Sequence, residues 1–73
     1  MLKEKQLIEE SISNRQKQIL LMLVKGYNNK EIAQNLGISE STANTQVSSL
    51  ISIFKADNRT HCVAEARRMK IVN

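Results

Sequence analysis

The sequence has no proline and no tryptophan, and only one cysteine, one phenylalanine, one tyrosine and one histidine. Each shortage closes a door. With few β-branched runs and no Asn-Gly turn, β-hairpins are poorly signalled. A single cysteine, Cys62, rules out an internal disulfide or a cysteine-built metal cluster, and reads as a small buried hydrophobe. No apolar run approaches the ~20 residues of a membrane span, and no signal-peptide pattern opens the chain. The expected location is therefore the cytoplasm. At 73 residues there is room for one small domain, which buries only about 60% of its unfolded surface and leaves no bulk for a deep substrate cleft.

The residues that dominate are Leu, Ile, Lys, Gln, Glu and Ala, which suit helices. The formal net charge is +4 and the pI about 9.6, a balance that points to anionic partners. Yet the most polar stretch, "ISESTANTQVSSLIS" at 38–52, carries Glu40 as its one charged residue. It reads either as a solvated linker or as a surface that recognises something by hydrogen bonds.

The flanking sequence decides between them. Residues 1–11 read as a leader or linker helix with Ile8 and Ile12 one turn apart, and residues 12–73 as the domain proper. Ser13 and Gln16 have capping-box spacing, followed by Ile19, Leu20 and Leu23 at helical intervals and a stop at Gly26. The grammar repeats: Asn28 and Glu31 open a second helix, Ile32, Ala33 and Leu36 form its stripe, and Gly37 ends it. Ser39 caps a third helix almost at once. Two helices joined by about three residues around a glycine, with small Ala33 four positions before Gly37, make a helix-turn-helix.

In the third helix Ala43, Val47, Leu50, Ile51 and Phe54 share one face. Asn44, Thr45, Ser48, Ser49 and Ser52 then form the opposite face rather than a linker. Such residues are mediocre helix formers, so this face was not chosen for stability. A fourth helix starts after Asn58, with Cys62, Val63, Ala66 and Met69 on its inner side and Arg67, Arg68 and Lys70 at its end. The expected fold class is all-α: a compact four-helix domain with a short extra N-terminal helix.

The stretch "ISNRQKQILLMLVKGYNNKEIAQNLGISESTANTQ" resembles the DNA-binding domain of the LuxR/GerE family of bacterial transcription regulators. Its pattern runs roughly G-x-S-N-K-E-I-A-x-x-L-x-I-S-x-x-T-V-K-x-H, then a later V-x-x-R-x-x-A helix start. The likeness extends over about residues 12–71 and is carried by "NKEIA" (29–33), "ISEST" (38–42) and "ADNRTHCV" (56–63). It implies four helices, the third in the major groove of DNA and the fourth serving dimerisation. In the family the domain usually follows a receiver or ligand-binding domain and sometimes stands alone; this chain is expected to be a stand-alone regulator or a C-terminal output domain. It departs from the pattern where the lysine becomes Asn44, the histidine Gln46 and a second basic position Ser48, and where Lys70 sits in place of a common glycine.

On this reading Asn44, Thr45 and Ser48 are candidate base contacts. Asn can pair with adenine through N6 and N7, and the Thr45 methyl can meet a thymine methyl. Lys30, Thr42, Lys55 and Arg59 are candidate backbone contacts, which position rather than specify; for Lys30 this follows the resemblance. Gln46 is expected at the core edge. Ala64 and Arg68 are candidates for a weak dimer contact formed on double-stranded DNA, and RNA polymerase is a further candidate partner. No cofactor, metal or small-molecule substrate is expected. His61 has no array around it that would hold a metal, no nucleophile–base pair is visible, and the chain does not read as an enzyme. The alternative from another class is a protein-interaction module that keeps the fold but sequesters another regulator without reading DNA.

Overall fold

Five helices succeed one another along the residues that the computed structural model describes, 2–73: α1 (Leu2–Ser11), α2 (Asn14–Val24), α3 (Asn29–Leu36), α4 (Glu40–Ile53) and α5 (Arg59–Arg68). No strand occurs among the described residues. The fold is the expected all-α one, with the short extra N-terminal helix present as α1; residue 1 lies outside the described residues.

The helices start where the sequence places a cap. Ser13 Oγ accepts from the Gln16 N–H at 3.1 Å, and Gln16 Oε1 accepts from the Ser13 N–H at 3.2 Å. Asn28 and Glu31 close the same reciprocal box at 2.8 and 2.9 Å. Ser39 caps α4 through the Thr42 N–H at 3.0 Å, and Asn58 caps α5 through the His61 N–H at 2.9 Å. Each satisfies a donor the helix cannot, worth about 1 kcal/mol.

Four helices end on a left-handed residue. At Gly26 and Gly37 (φ 87° and 66°) glycine takes this backbone freely; at Lys55 and Lys70 (φ 54° and 58°) a residue with a Cβ is forced into it. The reward is the closing bond: Tyr27 N–H to Met22 O, Ile38 N–H to Ala33 O, Ala56 N–H to Ile51 O and Ile71 N–H to Ala66 O.

The core runs between α2, α3, α4 and α5. Ile19, Leu20, Ile32, Leu50 and Cys62 are fully buried, and Phe54, Val47 and Met69 close it. Burial pushes the Cys62 thiol up to about 11. The most extensive packing is α3 on α4, where Ala33 and Ala43 are both buried, as a close crossing requires. α1 joins through buried Ile8 and through Glu4, whose carboxylate accepts from Arg68 at 3.2 Å; Leu7 on the same helix is exposed.

Candidate nucleic-acid interface

The three residues Gly37 to Ser39 join α3 to α4. Gly37 turns the chain and Ser39 immediately starts the next helix, so α4 crosses α3 with its apolar stripe inward and its other face in solvent. Ala43, Val47, Leu50 and Phe54 are buried; Thr42, Asn44, Thr45, Ser48 and Ser52 are exposed. The stretch at 38–52 is therefore the turn and recognition-type helix of a helix-turn-helix, not a linker. Gln46 is half-buried at the core edge, as expected. Ser49 departs from the expected polar face: it is half-buried, and its Oγ accepts from Gln16 Nε2 at 3.2 Å, so it ties α4 to α2.

The exposed face carries neutral hydrogen-bonding groups already ordered by short local bonds. Thr45 donates its hydroxyl to Ser41 O at 3.1 Å, leaving its methyl and an acceptor lone pair. Thr42 accepts from Ser39 Oγ at 2.8 Å while its own N–H is taken by the Ser39 cap. The cap takes up the Thr42 N–H, so only its hydroxyl remains to donate to a phosphate. Ser48 is exposed. Asn44 is exposed, and its Oδ1 accepts from Asn29 Nδ2 at 3.1 Å.

The candidate cations are less alike than the sequence suggests. Lys30 is exposed in the first turn of α3, next to Asn29. Lys55 is exposed just past the end of α4. Arg59 is half-buried; it donates to Tyr27 O at 3.2 Å and to Asn29 Oδ1 at 2.5 Å, so it anchors the α2–α3 turn to α5. Ala64 and Arg68 are both exposed and four residues apart, hence on one face of α5. Arg68 is engaged within the chain, by Glu65 at 3.0 and 3.1 Å and by Glu4, and Glu65 is held below the usual carboxylate range, first by that hydrogen bond. His61 is half-exposed in the first turn of α5, and its Nδ1 accepts from the Asp57 N–H at 3.1 Å.

Sequence reasoning missed Asn29, which touches both Asn44 and Arg59. Its neighbour Asn28 took the capping role, and no periodic pattern marks a contact made across 15 and 30 residues.

A three-residue turn, a close α3–α4 crossing and an exposed polar face on the second helix define a helix-turn-helix DNA-binding domain. The family model for bacterial regulatory proteins of the luxR family matches residues 10–66, and the chain belongs to that family. Its fold and its helix-turn-helix are those of a DNA-binding domain of bacterial transcription regulators. The chain is similar to the response regulator protein VraR of Staphylococcus saprophyticus, with 32% identity over 71 residues, covering 97% of this chain and 34% of that protein. The same figures hold for VraR of Staphylococcus aureus and of Staphylococcus epidermidis. The chain spans about a third of the length of these curated relatives. No helix among the described residues is long and apolar enough to cross a membrane.

Proposed function

We propose that the chain performs the output step of a transcription regulator in the cytoplasm. On this reading it inserts α4 into the major groove and reads bases with Asn44, Thr45 and Ser48, while Lys30, Thr42 and Lys55 meet the phosphate backbone, joined by Arg59 through the N–H groups that Tyr27 O and Asn29 Oδ1 leave free. The observation that carries the reading is the composition of the exposed α4 face. It lacks Lys and Arg, so it gives little sequence-independent attraction, yet it is dense in directed donors and acceptors. Such a face contributes to binding only where base edges match it. The long relatives are response regulators by name, and the corresponding role here is that of their DNA-binding part.

The Ala64–Arg68 face of α5 is the proposed contact between two copies bound to adjacent half-sites. Ala64 lets a second helix approach, and Arg68 stands beside it with its charge already shared with two carboxylates. A contact this small fits a domain that is monomeric alone and pairs on DNA. RNA polymerase is the proposed further partner, as the machinery a transcription regulator acts upon.

Selection from random duplex oligonucleotides tests the reading. The parent should enrich a two-half-site sequence. Asn44→Lys combined with Ser48→Lys should raise binding to every sequence and steepen its salt dependence. If the double variant gains binding while the parent enriches nothing at low salt, α4 is a groove-shaped face without a reading role. The domain would then be one that sequesters other regulators.

A further inference from the structure

Three side chains from three helices meet beside the exposed face of α4: Arg59 of α5, Asn29 of α3 and Asn44 of α4. The direction of their hydrogen bonds is fixed by chemistry. A guanidinium only donates, so the Asn29 atom facing Arg59 must be its carbonyl oxygen. The amide nitrogen of Asn29 then faces Asn44 and must meet an acceptor, which is Asn44 Oδ1 at 3.1 Å. Asn44 is thereby left with its NH2 as the free arm of the amide; no acceptor meets it among the described residues. Arg59 is held in turn by Tyr27 O, so the start of this series is anchored to backbone.

We propose that Asn29, backed by Arg59, is a specificity-determining positioning residue: it fixes the Asn44 amide with its NH2 outward and so biases the domain towards base edges that present an acceptor. This rests on the reading that Asn44 faces DNA bases. In the major groove the acceptors are purine N7, guanine O6 and thymine O4, whereas cytosine N4 and adenine N6 are donors. An unrestrained Asn would offer either arm. A polarised one penalises a cytosine at the contacted position, because the two donors would face each other. The same bond takes up one lone pair of Asn44 Oδ1, so a two-point pairing with adenine has to share that oxygen with Asn29.

Selection from a random duplex pool, run in parallel on the parent, Asn44→Ala, Asn29→Ala and Asn29→Asp, tests this. Asp suits the first turn of a helix, and melting curves confirm that each variant is folded. The parent should enrich an acceptor-presenting base at one position per half-site. Asn44→Ala should abolish that preference. Asn29→Ala should reduce it about twofold to tenfold, the range a single hydrogen bond spans. Asn29→Asp should reverse it: the carboxylate has no N–H to give, accepts from both Arg59 and Asn44 Nδ2, and turns Asn44 Oδ1 outward towards cytosine N4 or adenine N6. A merely structural role for Asn29 would not produce that reversal. If both Asn29 variants enrich the parental base while Asn44→Ala does not, Asn44 reads unaided and the proposal is overturned with the base-reading role intact. If Asn44→Ala retains the parental preference, or the parent has none, the base-reading role fails and the proposal falls with it.

Discussion

Replacing Lys70 by glycine should stabilise the domain. Lys70 is the left-handed residue that closes α5, at φ 58°. For a residue with a Cβ this backbone costs about 1–2 kcal/mol. Glycine removes that cost but brings more freedom to the unfolded chain, which takes back about 0.4–1 kcal/mol. Taken at the middle of both ranges, the net gain is about 0.8 kcal/mol. A domain of this size gains about 4–8 °C in Tm per kcal/mol, so the midpoint should rise by about 3–6 °C. Thermal unfolding followed by far-UV circular dichroism measures it. Gly37→Ala supplies the opposite sign: beyond the adjoining backbone no atom lies within 4 Å of a Cβ built there, so its loss of about 1 kcal/mol comes from the left-handed backbone and not from packing. Lys55→Gly, at φ 54°, should match Lys70→Gly in Tm. An unchanged or lower midpoint for Lys70→Gly would refute the reasoning, because it would mean that the lysine side chain makes compensating contacts that outweigh the backbone.

Lys30→Ala should weaken binding to all duplexes alike and flatten log K against log salt by about 0.9, since one phosphate contact is lost; an unchanged slope would make Lys30 an ordinary solvated residue. Ala64→Glu should remove cooperativity between half-sites without lowering Tm, and retained cooperativity would place the contact elsewhere. The Glu65 carboxyl is held below its ordinary value of 4.5 by Arg68, so its pairing contributes stability above that value and loses it as the pH falls through the lowered one. An NMR titration of the Glu65 side chain should accordingly show its transition moving up towards the ordinary value in Arg68→Gln; an unmoved transition would separate Glu65 from Arg68.

The elements that the sequence displays are those governed by neighbours in the chain. Ser13, Asn28, Ser39 and Asn58 act over three residues, and each caps the helix assigned to it. The stripe from Ala43 to Phe54 is buried because helical period alone determines which residues share a face. What was illegible depends on residues far apart in sequence: Gln16 on Ser49, Arg59 on Asn29 and Tyr27, and Arg68 on Glu4. These turn residues that look free into residues with work inside the fold. The positive φ of Lys55 gave no signal, because lysine does not advertise a left-handed backbone, whereas that of Lys70 was foreshadowed by the glycine common at its position in the family.

Cys62 gives the domain a built-in kinetic probe. Its Sγ has no solvent contact and its thiol ionises only near 11, so at neutral pH a disulfide reagent reaches it only through openings of the helix around it. The labelling rate, divided by that of a free thiol, is the population of those openings. Because Cys62 lies in the helix that presents Ala64 and Arg68, a partner on the outer side of that helix should slow its labelling wherever the opening that exposes it also breaks the contact. If two copies pair through that face as proposed, this single native sulfur reports the pairing without a dye, a tag or a mutation.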